Sequence, residues 1–132
     1  MLFVALRFRC RCIGIEKDGE LLEFARAEAR RLGVERLCRF ISKDFSELPR
    51  TWLDDVRATH VYVFDGVFQA RTWNVLFDSI ASTKRGLVGA STSRHCVYWP
   101  AALQKCGNVI PAVSVVGGKS SFSFVLWTKP RK

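Results

Sequence analysis

The sequence predicts an α/β protein with a mostly parallel sheet, covered on both faces and finished by a C-terminal antiparallel hairpin. Three observations lead there. Short β-rich runs alternate with amphipathic helical stretches between residues 9 and 91, an order in which helical crossovers join parallel strands. The runs that end at Glu16, Asp44 and Asp65 each finish on a carboxylate, at the strand ends where open α/β sheets hold ligands. Two later runs, "NVIPAVSVV" and "SSFSFVLWTK", flank Gly117, Gly118 and Lys119, which is a hairpin signal.

Residues 2–9 fit either the last turns of a helix or a strand, because periodicity over so short a stretch does not decide. "RCRCIGIE", 9–16, reads as a strand with a buried end at Ile13 and Ile15. Asp18 is placed to cap a helix with Glu20 in its first turn and Leu21, Ala25, Ala29 and Leu32 at helical spacing. Gly33 should end it in the left-handed conformation. "RLCRFISKDF", 36–45, is a second strand in which Leu37, Arg39 and Ile41 alternate with Cys38, Phe40 and Ser42. A polar linker containing Pro49 follows. "THVYVFD", 59–65, is a nearly continuous apolar run, as expected of a strand buried on both faces. Residues 69–82 put Trp73, Leu76, Phe77 and Ile80 on one helical face, and "RGLVGAS", 85–91, is the next strand. "WPAALQKC", 99–106, suits a short helix with Pro100 at its first position.

The length of 132 residues matches one domain spanning 1–132, and a hydrophobic fraction of 48% excludes a disordered chain. Arg7, Arg9 and Arg11 near the start and Lys129, Arg131 and Lys132 at the end supply six of the nine net positive charges. Basic ends around a nearly balanced middle suit an acidic partner such as nucleic acid or chromatin, and suit ordinary solubilising charge equally well. The five Cys follow no framework spacing, and no signal peptide is evident, which points to a reducing compartment. The opening "MLFVAL" is interrupted by Arg7 and Arg9, far short of the roughly 20 apolar residues that span a bilayer. A soluble intracellular protein without membrane contact is expected.

The strand-end acids carry the chemistry. A carboxylate at the end of an early βαβ strand can accept both hydroxyls of a ribose diol, and Glu16 is placed for that. An acid one strand later can accept from the exocyclic amine of adenine while an aromatic packs on the base, and "KDF" supplies Asp44 and Phe45. Each acid taken singly reads first as a turn or cap residue; the pair in successive units favours a nucleoside site. Asp65, in "VFDGVF", fits two readings evenly. It either orients a nucleophilic amine or a cofactor's amino group, with Phe68 walling an apolar channel, or it belongs to a D-G turn. Cys10 with Cys12, and His95 with Cys96, lack the spaced partners of a zinc site. No G-x-S-x-G, H-E-x-x-H or P-loop pattern supports a hydrolase or nucleotide triphosphatase.

In succession, "GIEKD" before a helix, "KDF", "VYVFDGVF" before a helix, "RGLVGAS" and "GGKSSFSFVLWT" resemble the class I S-adenosylmethionine-dependent methyltransferases. Within that class they resemble the disruptor-of-telomeric-silencing histone-lysine methyltransferases. The resemblance implies a Rossmann-like methyltransferase sheet and S-adenosyl-L-methionine as cofactor, with Glu16 on the ribose and Asp44 and Phe45 on the adenine. It implies an active-site loop at "FDGVF", where Asp65 and Phe68 would flank the methyl donor and the incoming lysine. It further implies a nuclear protein with a histone or nucleosome partner, and DNA or RNA contact through the basic ends. The sequence departs from the family at Asp65, where asparagine is usual, and at Gly66, which replaces an aromatic. The family's glycine-rich cofactor loop also has no counterpart, since residues 1–13 contain no glycine. This leads to the expectation of an N-terminally truncated domain whose missing central strand leaves its neighbours with unpaired backbone groups. The rival readings are a methyltransferase of RNA or of another protein, and a non-catalytic module that binds nucleic acid or a partner.

Overall fold

The computed structural model describes residues 1–63, 68–91, 110–117, 120–129 and 131, and the chain divides into two units, Met1–Leu48 and Pro49–Lys132.

In the first unit the ambiguous opening is a helix, α1, Leu2–Phe8. It stops at Arg9, whose φ of 51° lies in the left-handed region and whose N–H donates to the Ala5 carbonyl. That turn delays the following strand, so β1 is Cys12–Glu16 rather than 9–16. The next helix, α2, is Gly19–Arg31, and Asp18 caps it as expected: its Oδ1 accepts from the Glu20 N–H at 2.9 Å and the Leu21 N–H at 3.2 Å. Gly33, at φ 65°, closes the other end. Its N–H donates to the Arg30 carbonyl at 3.0 Å, and the Val34 N–H donates to the Ala29 carbonyl at 2.9 Å, the paired bonds of a Schellman motif.

This closure brings Val34 onto Ala29, and with Ala5 the two form a small buried core. It also sets which side of α2 faces inward. Leu22, seven residues before Ala29, is buried, whereas Leu21 is 56% exposed. Leu21 is therefore the misplaced member of the expected face, whose Ala29 is buried and whose Leu32 packs against the same core. The second strand, β2, is Cys38–Ser42, flanked by 3₁₀ turns at Glu35–Leu37 and Phe45–Glu47 that occupy the outer parts of the expected 36–45 run. β1 and β2 are parallel, in register from Cys12 opposite Cys38 to Glu16 opposite Ser42.

The second unit contains α3 (Trp52–Asp55), β3 (His60–Val63), α4 (Ala70–Ser82), β4 (Leu87–Ser91), β5 (Ile110–Gly117) and β6 (Ser120–Lys129). The described strands lie in the order β3-β4-β6-β5. β3 and β4 are parallel, and β6 runs antiparallel to both β4 and β5. The expected hairpin is thus present, with Gly117 opposite Ser120 and residues 118 and 119 outside the described ones. Val61, Val63 and Leu87 of the strands are buried, as are Trp73, Leu76, Phe77 and Ile80, the predicted face of α4. Gly89 is required by Trp127 beside it on β6: a Cβ at Gly89 would stand 1.9 Å from the indole ring.

The expectation that β3 is buried on both faces fails over His60–Val63. Val61 and Val63 point inward, while Tyr62 is 61% exposed and His60 is exposed too, with Val88 exposed opposite His60 on β4. The apolar run reflects β-propensity at Tyr62 as much as burial. The buried Lys129 ammonium donates to the Thr83 carbonyl at 2.5 Å, tying the end of β6 to the turn after α4. Among the described residues β1 pairs only with β2, and β3 has β4 as its one partner. The proposed helix at 99–106 lies outside the described residues, and no described helix is long and apolar enough to cross a membrane.

Candidate functional site

Parallel pairing puts the carboxyl ends of β1 and β2 side by side. The ladder runs one step past the strands, where the Lys43 N–H donates to the Glu16 carbonyl at 3.1 Å. Glu16 closes one strand, and Asp44 follows the other by two residues. The two acids that the sequence singled out therefore share one edge of the first unit.

Each has a local anchor. Glu16 Oε1 accepts from the backbone N–H groups of Lys17 at 2.9 Å and Asp18 at 3.0 Å. Its other oxygen, Oε2, has no hydrogen-bond partner among the described residues. Asp44 caps the turn that begins at Phe45, with Oδ1 accepting from the Ser46 N–H at 2.8 Å. Its second oxygen faces the Lys17 ammonium at 3.6 Å. The Ser46 N–H, then the Ser46 hydroxyl and more weakly Lys17, hold the Asp44 carboxyl below its usual range. Both acids thus do what turn residues do, and both keep acceptor capacity, since an ionised carboxylate offers about four lone-pair sites.

Phe45 sits half-buried directly after Asp44, an aromatic beside two carboxylates. Such an edge can accept from a vicinal diol and an amine while offering a ring to a flat base. Lys17 was not legible as part of it. A lysine after a strand-end acid follows no spacing rule, and its reach to Asp44 depends on the parallel register of β1 and β2.

Phe68 belongs to the second unit. It packs edge-to-face on Trp73, with ring centroids 5.6 Å apart, and Trp73 stacks on Phe77 at 5.1 Å. These contacts fix Phe68 as the outer ring of an aromatic row running into α4. Asp65, and with it most of the "FDGVF" loop, lies outside the described residues.

Among the described thiols, Cys12 and Cys38 pack against the core and Cys10 is exposed. Cys12 lies opposite Cys38, and burial, with Cys10 nearby, pushes the Cys12 thiol up to about 11. Cys10 itself precedes β1 instead of sharing a strand face with Cys12. Among the described residues no group of three or more His, Cys, Asp or Glu is arranged to hold a metal ion.

No protein-family model and no curated protein sequence matches the chain. Solved structures do. The fold is similar to an RNA methyltransferase from Salinibacter ruber in complex with S-adenosyl-L-homocysteine, at 22% identity and TM-score 0.60, over 99% of this chain and 73% of that one. It is similar to magnesium protoporphyrin IX methyltransferase from Synechocystis PCC 6803 with bound S-adenosylmethionine, at 9% identity and TM-score 0.61, over 90% of this chain and 59% of that one. An N-methyltransferase from Bradyrhizobium japonicum gives 11% identity and TM-score 0.58, over 92% of this chain and 74% of that one. The chain therefore has the Rossmann-like fold of the class I S-adenosylmethionine-dependent methyltransferases. The fold does not name the acceptor, because proteins that share it act on different ones.

Proposed function

We propose that the chain is an S-adenosyl-L-methionine-dependent methyltransferase whose nucleoside site is the carboxyl edge of β1 and β2. The observation that carries this reading is the meeting of Glu16 and Asp44–Phe45 on one edge, within a fold shared with cofactor-bound methyltransferases. Glu16 Oε2 accepts from the ribose hydroxyls, Asp44 accepts from the adenine amine, and Phe45 packs on the base. When bound, the cofactor supplies an electrophilic methyl group on its sulfonium. The chain's own contribution is to position an acceptor amine in line and to keep it neutral by excluding water. Phe68 and Asp65 are the residues proposed for that task.

For the acceptor, we propose a lysine amine of a histone in the nucleus. This reading rests on the motif succession through "VFDGVF" and on exposed arginines near both ends, Arg7, Arg9, Arg11 and Arg131, which suit nucleic-acid phosphates with salt-sensitive affinity, whereas Lys129 is buried. RNA is the second reading, supported by the similarity to the Salinibacter ruber RNA methyltransferase over 99% of this chain.

Calorimetric titration of the chain with S-adenosylhomocysteine, beside Glu16→Ala and Asp44→Ala, tests the site. Weak binding is expected, because residues 1–13 contain no glycine-rich turn to cradle the methionine end, and both variants should abolish it. A well-folded chain that does not bind, or variants that bind as the parent does, would sink the site. Labelled cofactor offered with nucleosomes, free histone and RNA then separates the acceptors; label on RNA alone would overturn the histone reading.

A further inference from the structure

Helix α1 turns aromatic rings outward. Ala5 is buried and Leu2 packs beside the Ala29–Val34 core, while Phe3 is 71% and Phe8 66% exposed. At about 100° per residue, Phe3 and Arg7 stand one turn apart on one outward line, and Val4 and Phe8 on the next. Arg9 turns the chain in its left-handed conformation, and Arg9 and Arg11 are exposed beyond it. Residues 1–15 hold these three arginines and no acid, the first being Glu16.

That composition selects the occupant. Three guanidiniums without a carboxylate among them call for a polyanion. Two exposed phenyl rings interleaved with the cations provide faces on which unstacked bases can lie. A duplex would meet the cations but hide its bases from the rings. An apolar protein surface would meet the rings but leave the arginines without counter-charge. We infer that α1 and residues 9–11 form a binding surface for single-stranded nucleic acid. Arg7, Arg9 and Arg11 lie on its phosphates, and Phe3 and Phe8 lie under its bases. The inference does not depend on the cofactor site.

The test is fluorescence anisotropy of the full chain with labelled single-stranded RNA and DNA of about a dozen nucleotides, a site size typical of such surfaces, and with the matching duplexes and nucleosomes. Single strands should bind several-fold tighter than duplex. The Phe3→Ser/Phe8→Ser pair should weaken single-strand binding about tenfold or more and leave duplex binding unchanged, while Phe3→Tyr/Phe8→Tyr retains it. Arg7→Gln and Arg11→Gln should each lower the salt slope by about 0.7. Circular dichroism confirms that the variants, all at exposed positions, stay folded. Comparison of the RNA and DNA arms identifies the source of the strand. Binding indifferent to the two rings, duplex or nucleosome bound as tightly as single strand, or no binding at all would overturn the inference.

Discussion

Asp44, a proposed nucleoside contact, is first of all a local anchor. Its carboxyl is held low chiefly by Ser46, first through the backbone N–H and then through the hydroxyl, with Lys17 a lesser cause. The favourable contribution is therefore complete above the ordinary value near 3.8 and is lost as pH falls through the lowered one. Carbon-detected NMR titration should find Asp44 ionised throughout neutral and mildly acid conditions. Ser46→Ala, which keeps the capping N–H and removes only the hydroxyl, should raise its pKa more than Lys17→Ala does, and the opposite order would mean that the ion pair outweighs the hydroxyl. Cys12 presents the reverse case. Burial and its thiol neighbours raise it to about 11, so near pH 8 it holds almost no thiolate, the reactive form. Iodoacetamide should label the exposed Cys10 well before Cys12, and mass mapping of early adducts would expose a reversed order. These environments are invisible in the sequence, where "RCRC" gives no reason to separate one thiol from the other.

At the scale of elements, what could be read was what local chemistry decides. Asp18 and Gly33 were legible as the two ends of α2 because capping and left-handed closure act over a few residues. The start of β1 was not, since it depends on Arg9 adopting a conformation that arginine seldom takes. Nor was the choice between Leu21 and Leu22, which are equally apolar in the sequence although Leu22 is buried and Leu21 exposed. The candidate site divides in the same way. Acids at the ends of two strands were readable, but their meeting depends on a parallel register that pairs Glu16 with Ser42. Gly89 gives this scale its prediction. With a Cβ placed 1.9 Å from the Trp127 ring, Gly89→Ala must displace the indole or part β4 from β6, an overpacking cost of about 3 kcal/mol. In urea unfolding, Trp127→Leu should recover part of that loss in the double variant. Strictly additive effects would show that the two residues do not share the space.

At the scale of the molecule, the two units differ in what they bury. Residues 1–48 close on Ala5, Leu22, Ala29 and Val34, all aliphatic and mostly small, whereas residues 49–132 bury Leu53, Trp73, Leu76, Phe77, Ile80, Leu87 and Trp127. Apolar area removed from water is the main favourable contribution to folding, and chains near or below about 40 residues rarely bury enough of it alone. The unit that carries the candidate nucleoside site is thus the one less able to hold itself together. Residues 1–48 made as an isolated peptide should show little ordered signal by circular dichroism, and residues 49–132 should retain a cooperative urea transition. In the intact chain, S-adenosylhomocysteine at about 100 times its Kd should then stabilise the fold by about 2.7 kcal/mol. Hydrogen exchange should show that protection concentrated in β1, α2 and β2. A stably folded 1–48 peptide would show that its small core is sufficient. Protection confined to residues 49–132 would place the ligand away from Glu16 and Asp44.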